Sequence, residues 1–315
     1  MMTNKKSFIG ITARGLAMGA ADVVPGVSGG TIAFITGIYE ELIDIISGVN
    51  LALLKTLKKE GLKAFWTKLN GNFIVALFTG ILISVASLAK LISYLLDNHA
   101  ILVWSFFFGL VTASIHLVGR QVKKWNLSTV IAFVIGSVIA FWITILPPMQ
   151  QADASWYIFI SGAIAICAMI LPGISGSFIL LLLGSYTTII NAIKEFDVIK
   201  IITFAFGCLV GLLSFSKLLK WMFKKYEDIT IAVLTGFLLG SLNKLWPWKK
   251  IIRTFTNSHG KEITIEEQNI SPLNYEALNG DKSYLTYAII LFVIGFVVIF
   301  LLERFGNKTK NEKSV

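Results

Sequence analysis

Ser28, Thr31, Ser175 and Ser177 are hydroxyl donors set among glycines in two copies of one motif. VPGVSGGT occupies residues 24–31 and LPGISGSF occupies residues 171–178, which puts Pro25 and Pro172 147 positions apart. Each copy reads Pro-Gly-x-Ser-Gly and runs on into an apolar stretch. A helix starting there has Ser28 or Ser175 available as its N-cap. Its first amides have no acceptor inside the helix, and they carry the positive end of the dipole, about half an elementary charge. Gly26, Gly29 and Gly30 in the first copy, and Gly173 and Gly176 in the second, allow a ligand to approach the backbone closely. Hydroxyls and bare amides with no carboxylate inside the motif suit an anion, and a phosphate monoester is the natural guest. The competing reading is close helix packing through small residues. That reading is weaker for two copies than for one.

Charged residues in apolar stretches are the next candidates, because burial in a membrane makes them costly. Arg14 and Asp22 precede the first motif, about two helical turns apart. Arg14 offers a two-pronged phosphate contact; Asp22 could pair with it or take up a proton, and a purely structural ion pair is the alternative. Lys90 and Lys217 occupy equivalent places in the two halves, near the ends of apolar runs. They read either as phosphate-attracting charges near each mouth or as side chains reaching for the interface. His116, Glu40, Glu41, Asn243 and Lys244 with the WPW of 246–248 read as interface residues. Catalytic alternatives fare poorly. His99, His116 and His259 have no ligand-like spacing, and no HExxH, Walker A or Ser–His–Asp arrangement stands out. A membrane-embedded phosphatase or lipid-modifying enzyme is therefore disfavoured. No cofactor or metal is expected. With no nucleotide site, energy would come from substrate or ion gradients, protons and sodium being the candidate coupling ions.

These residues sit in a chain of 315 residues that is 55% hydrophobic and only 15% charged. That leaves too little polar surface to cover a soluble domain. Apolar runs of spanning length recur, so an all-α polytopic membrane protein is expected. No separate n-region, h-region and cleavage pattern opens the chain, so no removable signal peptide is expected. Cys167 and Cys208 lie in apolar runs and read as small core residues. The net charge of +10 sits in loops, which points to membrane orientation and anionic lipid, with no nucleic-acid partner.

The first half, 1–146, holds a helical hairpin at 8–46, an amphipathic segment at 49–70, and spans at 73–96, 101–118 and 128–146. The second, 155–303, holds a hairpin at 156–193, spans at 198–223 and 229–245, an external loop at 246–283 and a span at 284–302. Residues 304–315 form a basic tail. The arms of the broken stretches are short: 156–171 is about 24 Å of helix, less than the roughly 30 Å hydrocarbon core. They read as re-entrant hairpins, with two tilted full spans as the alternative. Lys- and Arg-bearing loops alternate with loops that lack them, which puts both termini in the cytoplasm. The segment 49–70 interleaves Leu, Phe and Trp with Lys, as either an interfacial helix on anionic lipid or a plain topogenic loop.

The halves match residue by residue. Offset 147 joins Gly15 to Gly162, Gly37 to Gly184 and Tyr39 to Tyr186. Offset 127 joins Gly80 to Gly207, Lys90 to Lys217 and Gly109 to Gly236, and offset 159 joins FVIG at 133–136 to FVIG at 292–295. The offsets change only in loops. Each half has one hairpin and three spans, an odd number of crossings, so the second half is expected upside down relative to the first. Inverted repeats with broken helices are the mark of alternating-access carriers.

DVVPGVSGGTIAFITGIYE paired with LPGISGSFILLLLGSY resembles the polyprenyl-phosphate transporter (PopT) family, over about residues 8–303 and including GFLLGSLNKLWPW. The resemblance implies an undecaprenyl-phosphate flippase of the bacterial plasma membrane. Such a protein returns the lipid carrier from the outer to the inner leaflet for cell-wall and surface-polymer synthesis, with that lipid and the membrane as partners. It carries site roles to Pro25, Gly26, Ser28, Gly29, Gly30 and Thr31, and to Pro172, Gly173, Ser175, Gly176 and Ser177. The second copy has Ser177 and Phe178 where the first has Gly30 and Thr31, so unequal contributions are expected. The residues alone require only a phosphate-like anion, and a carrier for a small anionic solute is the alternative. No oligomeric state is implied.

Overall fold

The computed structural model describes residues 8–24, 27–149, 153–256 and 262–311. Pro25 and Gly26 of the first motif lie outside the described residues. Helix α1 (Phe8–Asp22) runs into that motif, and α2 (Gly29–Ile35) and α3 (Tyr39–Gly48) leave it. There follow α4 (Leu51–Lys68), α5 (Gly71–Gly119) and α6 (Leu127–Ile145). The order then recurs. Helix α7 (Ser155–Ile170) runs into the second motif, α8 (Gly176–Leu182) and α9 (Tyr186–Lys194) leave it, and α10 (Val198–Lys225) and α11 (Glu227–Leu245) follow. Strands β1 (Lys249–Thr256) and β2 (Glu262–Asn269), short α12 (Tyr275–Asn279) and α13 (Leu285–Asn311) complete the chain.

Among the described residues, five helical segments are long and apolar enough to cross a bilayer, six if α8 and α9 count as one bent span. This is a multi-pass membrane protein. Helix α5 supplies two of those segments, Gly71–Leu88 and Lys90–Gly119, and within the second His99 leaves helical geometry (φ −139°, ψ 41°) in the polar DNHA stretch. The arm leaving each motif is two helices instead of one. Gly37 (φ +68°) and Gly184 (φ +65°) end α2 and α8 in the left-handed region, where a Cβ would be strained and glycine is not. Between α8 and α9 the axis turns by 106°.

The repeat seen in the sequence is a repeat of contacts. On α1, Gly15 lies against the Leu77 carbonyl of α5, while Gly80 lies against the Thr12 carbonyl. On α7, Gly162 lies against the Phe204 carbonyl of α10, while Gly207 lies against the Phe159 carbonyl. These are the same four positions displaced by 147 and 127. The third spans exchange partners between halves. Gly109 of α5 meets Phe292 of α13, and Gly236 of α11 meets Phe133 of α6, while Gly295 meets Phe106 and Gly136 meets Val233. A Cβ at any of these glycines would collide with backbone, so close approach fixes the residue type.

Polar contacts gather at two ends of the bundle. At one, Arg120 pairs with Glu303, and Lys123 Nζ lies 2.6 Å from Glu227. The Lys123 amide donates to Asp228 (3.0 Å), Lys220 pairs with Asp44 (3.0 Å) and Asn70 donates to Glu41 (3.1 Å). At the other, the Met149 amide donates to the Leu182 carbonyl (2.7 Å), Tyr157 to Leu183 (2.6 Å) and Asn243 to Thr144 (2.7 Å).

The 246–283 stretch, expected as a loop, carries an antiparallel ribbon that runs from Lys249 opposite Asn269 to Thr256 opposite Glu262, irregular around Arg253. Helix α13 continues to Asn311, into the stretch expected as a tail.

Candidate functional site

The two motifs meet in the interior. Ser28 caps α2: its Oγ accepts from the Gly30 amide at 3.1 Å. The single proton of the same hydroxyl is shared between the carbonyls of Met169 (3.2 Å) and Leu171 (3.3 Å) at the end of α7. Those carbonyls are orphans left by the helix end, so one hydroxyl serves the start of one broken helix and the end of the other. Thr31 Oγ1 accepts from the Gly173 amide at 2.9 Å. Gly173 holds φ +85°, and a Cβ there would sit 2.8 Å from Ser241 Oγ. A Cβ on Gly30 would sit 2.6 Å from the Ile170 carbonyl. Ser28 and Thr31 are each 1% exposed, so this clasp is sealed from solvent.

The copies are unequal, in a way that reaches beyond the Gly30/Ser177 difference. Asp22 Oδ1 accepts from the Gly29 amide at 2.6 Å, so an internal anion already occupies the start of α2. The position 147 further on is Met169, and α8 has no such carboxylate. Ser175 does not cap α8; its hydroxyl pairs with that of Ser177 at 2.8 Å. Buried Ser175 and exposed Ser177 thus face Gly176 at the start of a helix with no acid attached.

Arg14 stands apart from this junction. Its Nε donates to the Thr36 carbonyl (3.2 Å) and its Nη1 to the Gly10 carbonyl (3.0 Å). It therefore ties α1 to the negative end of α2 and does not pair with Asp22. Lys90 and Lys217 are exposed on α5 and α10 and are not brought to the tips. Pro172 is buried at the junction.

A small cavity of about 10 Å³ opens beside the second motif, lined by Gly173, Ile174, Ser175, Phe178, Ser241 and Lys244 among others. That is room for about one water. In the sequence Lys244 reads as part of an interface belt, next to Asn243 and WPW. The missing signal is tertiary: α11 must pack against Gly173 before Lys244 can face the motif.

The ribbon stands over this lysine. Lys244 Nζ and Lys249 Nζ lie 3.1 and 3.0 Å from one Glu267 oxygen. Burial pushes the Lys249 ammonium down from 10.5 to about 8, against the pull of Glu267. Burial alone would raise the Glu267 carboxyl, but Lys249 and Lys244 hold it below the ordinary 4.5.

Broken helices that meet inside an apolar bundle, beside hydroxyls and a lysine, are the build of a membrane transporter. The model of the VCA0040-like, undecaprenyl phosphate translocase-like family matches residues 18–263. Over 295 residues the chain is 47% identical to a polyprenyl-phosphate transporter of Vibrio cholerae serotype O1, covering 94% of this chain and 96% of that one. It is 34% identical over 255 residues to a polyprenyl-phosphate transporter of Staphylococcus aureus, covering 74% and 84%. The chain belongs to this undecaprenyl phosphate translocase-like family, whose named relatives are transporters and not enzymes. No solved structure matches it.

Proposed function

We propose that this protein carries undecaprenyl phosphate across the bacterial plasma membrane, from the outer to the inner leaflet, so that cell-wall and surface-polymer precursors can be rebuilt. The phosphate binds at the meeting of the two motif tips, and the polyprenyl chain stays in the bilayer through a lateral opening. The observation that carries this reading is the clasp of Ser28 and Thr31 on the second motif, beside a cavity that Lys244 lines.

The transport cycle is alternating access between two inverted halves, each a re-entrant hairpin with three spans, both termini cytoplasmic. Several contacts support that topology. Helix α1 runs parallel to the start of α5, Gly15 beside Leu77 and Gly19 beside Ile81. Glu41 of α3 meets Asn70 at that same start, so both arms of the first hairpin return to one end. That end carries Arg120, Lys123, Lys124 and Lys220, as a cytoplasmic face does. The second hairpin meets Met149 and Asp153 at the other end, through Leu182 and Thr188.

In this conformation the tips are closed. Two neutral hydrogen-bond donors hold them, the Gly173 amide on Thr31 and the Ser28 hydroxyl shared between two carbonyls, at about 1 kcal/mol net each. Bonds from a charged phosphate are worth about 1.5–3 kcal/mol each, so two of them outweigh the clasp. Headgroup binding is therefore strong enough to part the tips. Asp22, fixed on α2, is the candidate for coupling to protons or sodium.

The test is reconstitution in liposomes with labelled undecaprenyl phosphate, following its exposure in each leaflet. The intact protein is expected to speed its crossing, and no acceleration overturns the function. Unchanged crossing in the Ser28→Ala, Ser175→Ala double variant overturns the site.

A further inference from the structure

The cluster over the second motif is one anion short. Lys244 and Lys249 share a single oxygen of Glu267, and the three side chains are only 23%, 8% and 22% exposed. Among the described residues their other partners are neutral. Lys249 Nζ donates to the Lys244 carbonyl at 2.8 Å and lies 4.3 Å from the centre of the Trp104 ring. Lys244 Nζ lies 4.8 Å from the centre of the Phe178 ring. The carbonyl at the end of α11 and the two ring faces offset part of the second charge. None of them is a formal anion, so about one positive charge remains in a sheltered place where unpaired charge is costly. The lysine nearer the motif lines the cavity with Gly173, Ser175 and Ser241. At about 10 Å³ the cavity takes one water and no phosphate until a neighbour moves. Of the lining residues, Lys244 is the one that Glu267 holds, and Glu267 is carried on the two-stranded ribbon, not on a membrane-spanning helix.

We propose that Lys244 and Lys249 form the capture site for a phosphate headgroup at this end of the protein, and that Glu267 is a built-in placeholder which the phosphate displaces. The inference rests on the transport reading above and adds to it the residues that meet the substrate first. Glu267 keeps the lysines in place while the site waits. Exchanging a single carboxylate charge for a phosphate bearing up to two negative charges neutralises the cluster fully. That difference favours phosphate over carboxylate ligands and over the uncharged alcohol.

The experiment measures binding to the full-length protein in nanodiscs, read by tryptophan fluorescence, since Trp104 is stacked on Lys249. The probes are a short-chain polyprenyl phosphate, the matching polyprenol and inorganic phosphate. Lys244→Ala is expected to weaken binding of the polyprenyl phosphate about tenfold or more, the loss of one charge-assisted contact, and to leave polyprenol binding unchanged. Lys244→Arg restores it. Glu267→Gln, which retains shape but removes the competitor, is expected to tighten it about threefold or more, as removal of a competing state does. Wild-type affinity in Lys244→Ala, or no tightening in Glu267→Gln, overturns the capture site while flipping by the intact protein stands. Lys244-dependent binding of inorganic phosphate without any lipid flipping overturns the lipid reading and leaves the anion site in place. Binding of none of the probes overturns both.

Discussion

The backbone amide of Gly173 donates to Thr31 Oγ1 at 2.9 Å, joining one residue of each motif across 142 positions of the chain. This bond and the one that Ser28 shares between the Met169 and Leu171 carbonyls are what a substrate has to open. Thr31→Val retains volume and removes the acceptor, leaving a buried amide unsatisfied at a cost of about 1–3 kcal/mol. The closed tips should lose that much stability relative to the parted state. A thiol-labelling assay on Ser175→Cys, buried while the tips are closed, with Cys167 and Cys208 replaced, should react faster in Thr31→Val than in the parent, and an equal rate argues against the clasp as a gate.

Asp22 and the Gly29 amide form the other fixed contact of the first tip. Asp22→Asn retains an acceptor oxygen for that amide and removes the charge. The fold should therefore persist, with a melting temperature close to the parent's. If Asp22 couples transport to an ion, the pH or sodium dependence of flipping in liposomes disappears in this variant. A dependence that survives intact assigns coupling elsewhere.

Gly109 and Gly236 hold equivalent places against Phe292 and Phe133. An alanine at either drives a methyl group into backbone, an overpacking cost of about 1–3 kcal/mol. The two variants should lose comparable thermal stability, and the double variant their sum, because the interfaces are separate. Gly119→Ala, whose new methyl group would meet nothing nearer than 3.4 Å, is the tolerated control.

Lys249 gives the ribbon its own pH response. Its ammonium is held at about 8 in the folded protein, against 10.5 in the free side chain. Between those values the unfolded chain binds more protons, so this residue makes stability rise as pH climbs from about 8 to 10.5. Below pH 8 its burial is a constant cost. Loss of the charge also removes its contact with Trp104. Tryptophan fluorescence should titrate near pH 8 in the parent and not in Lys249→Met, and phosphate binding should weaken through the same range.

Much of the architecture is legible in the sequence. Two Pro-Gly-x-Ser-Gly copies, and glycines recurring at fixed offsets, mark where backbones meet, because only glycine tolerates a carbonyl at that distance. Ser28 as a cap could also be read, since the capping position follows from local geometry. Ser175 illustrates the limit. The same local rule applied to it, yet its hydroxyl turned to Ser177. Arg14 and Asp22 share a helix and opposite charge, but nearer backbone groups claimed both: carbonyls for the arginine, the Gly29 amide for the aspartate. The β-ribbon went unseen because its short run of Thr, Phe and Ile lies among lysines and glutamates that read as a solvated loop.

The sequence by itself determined the membrane class, the two-fold repetition and the pair of helix breaks, because hydropathy, glycine spacing and proline chemistry act over a few residues. Only the tertiary structure decided which groups face one another. It put Ser28 on the carbonyls of α7, closed Thr31 onto Gly173, and gathered Lys244, Lys249 and Glu267 over the second motif. Those are contacts between distant segments, set by how helices cross in a packed interior, and no local pattern along the chain encodes their partners.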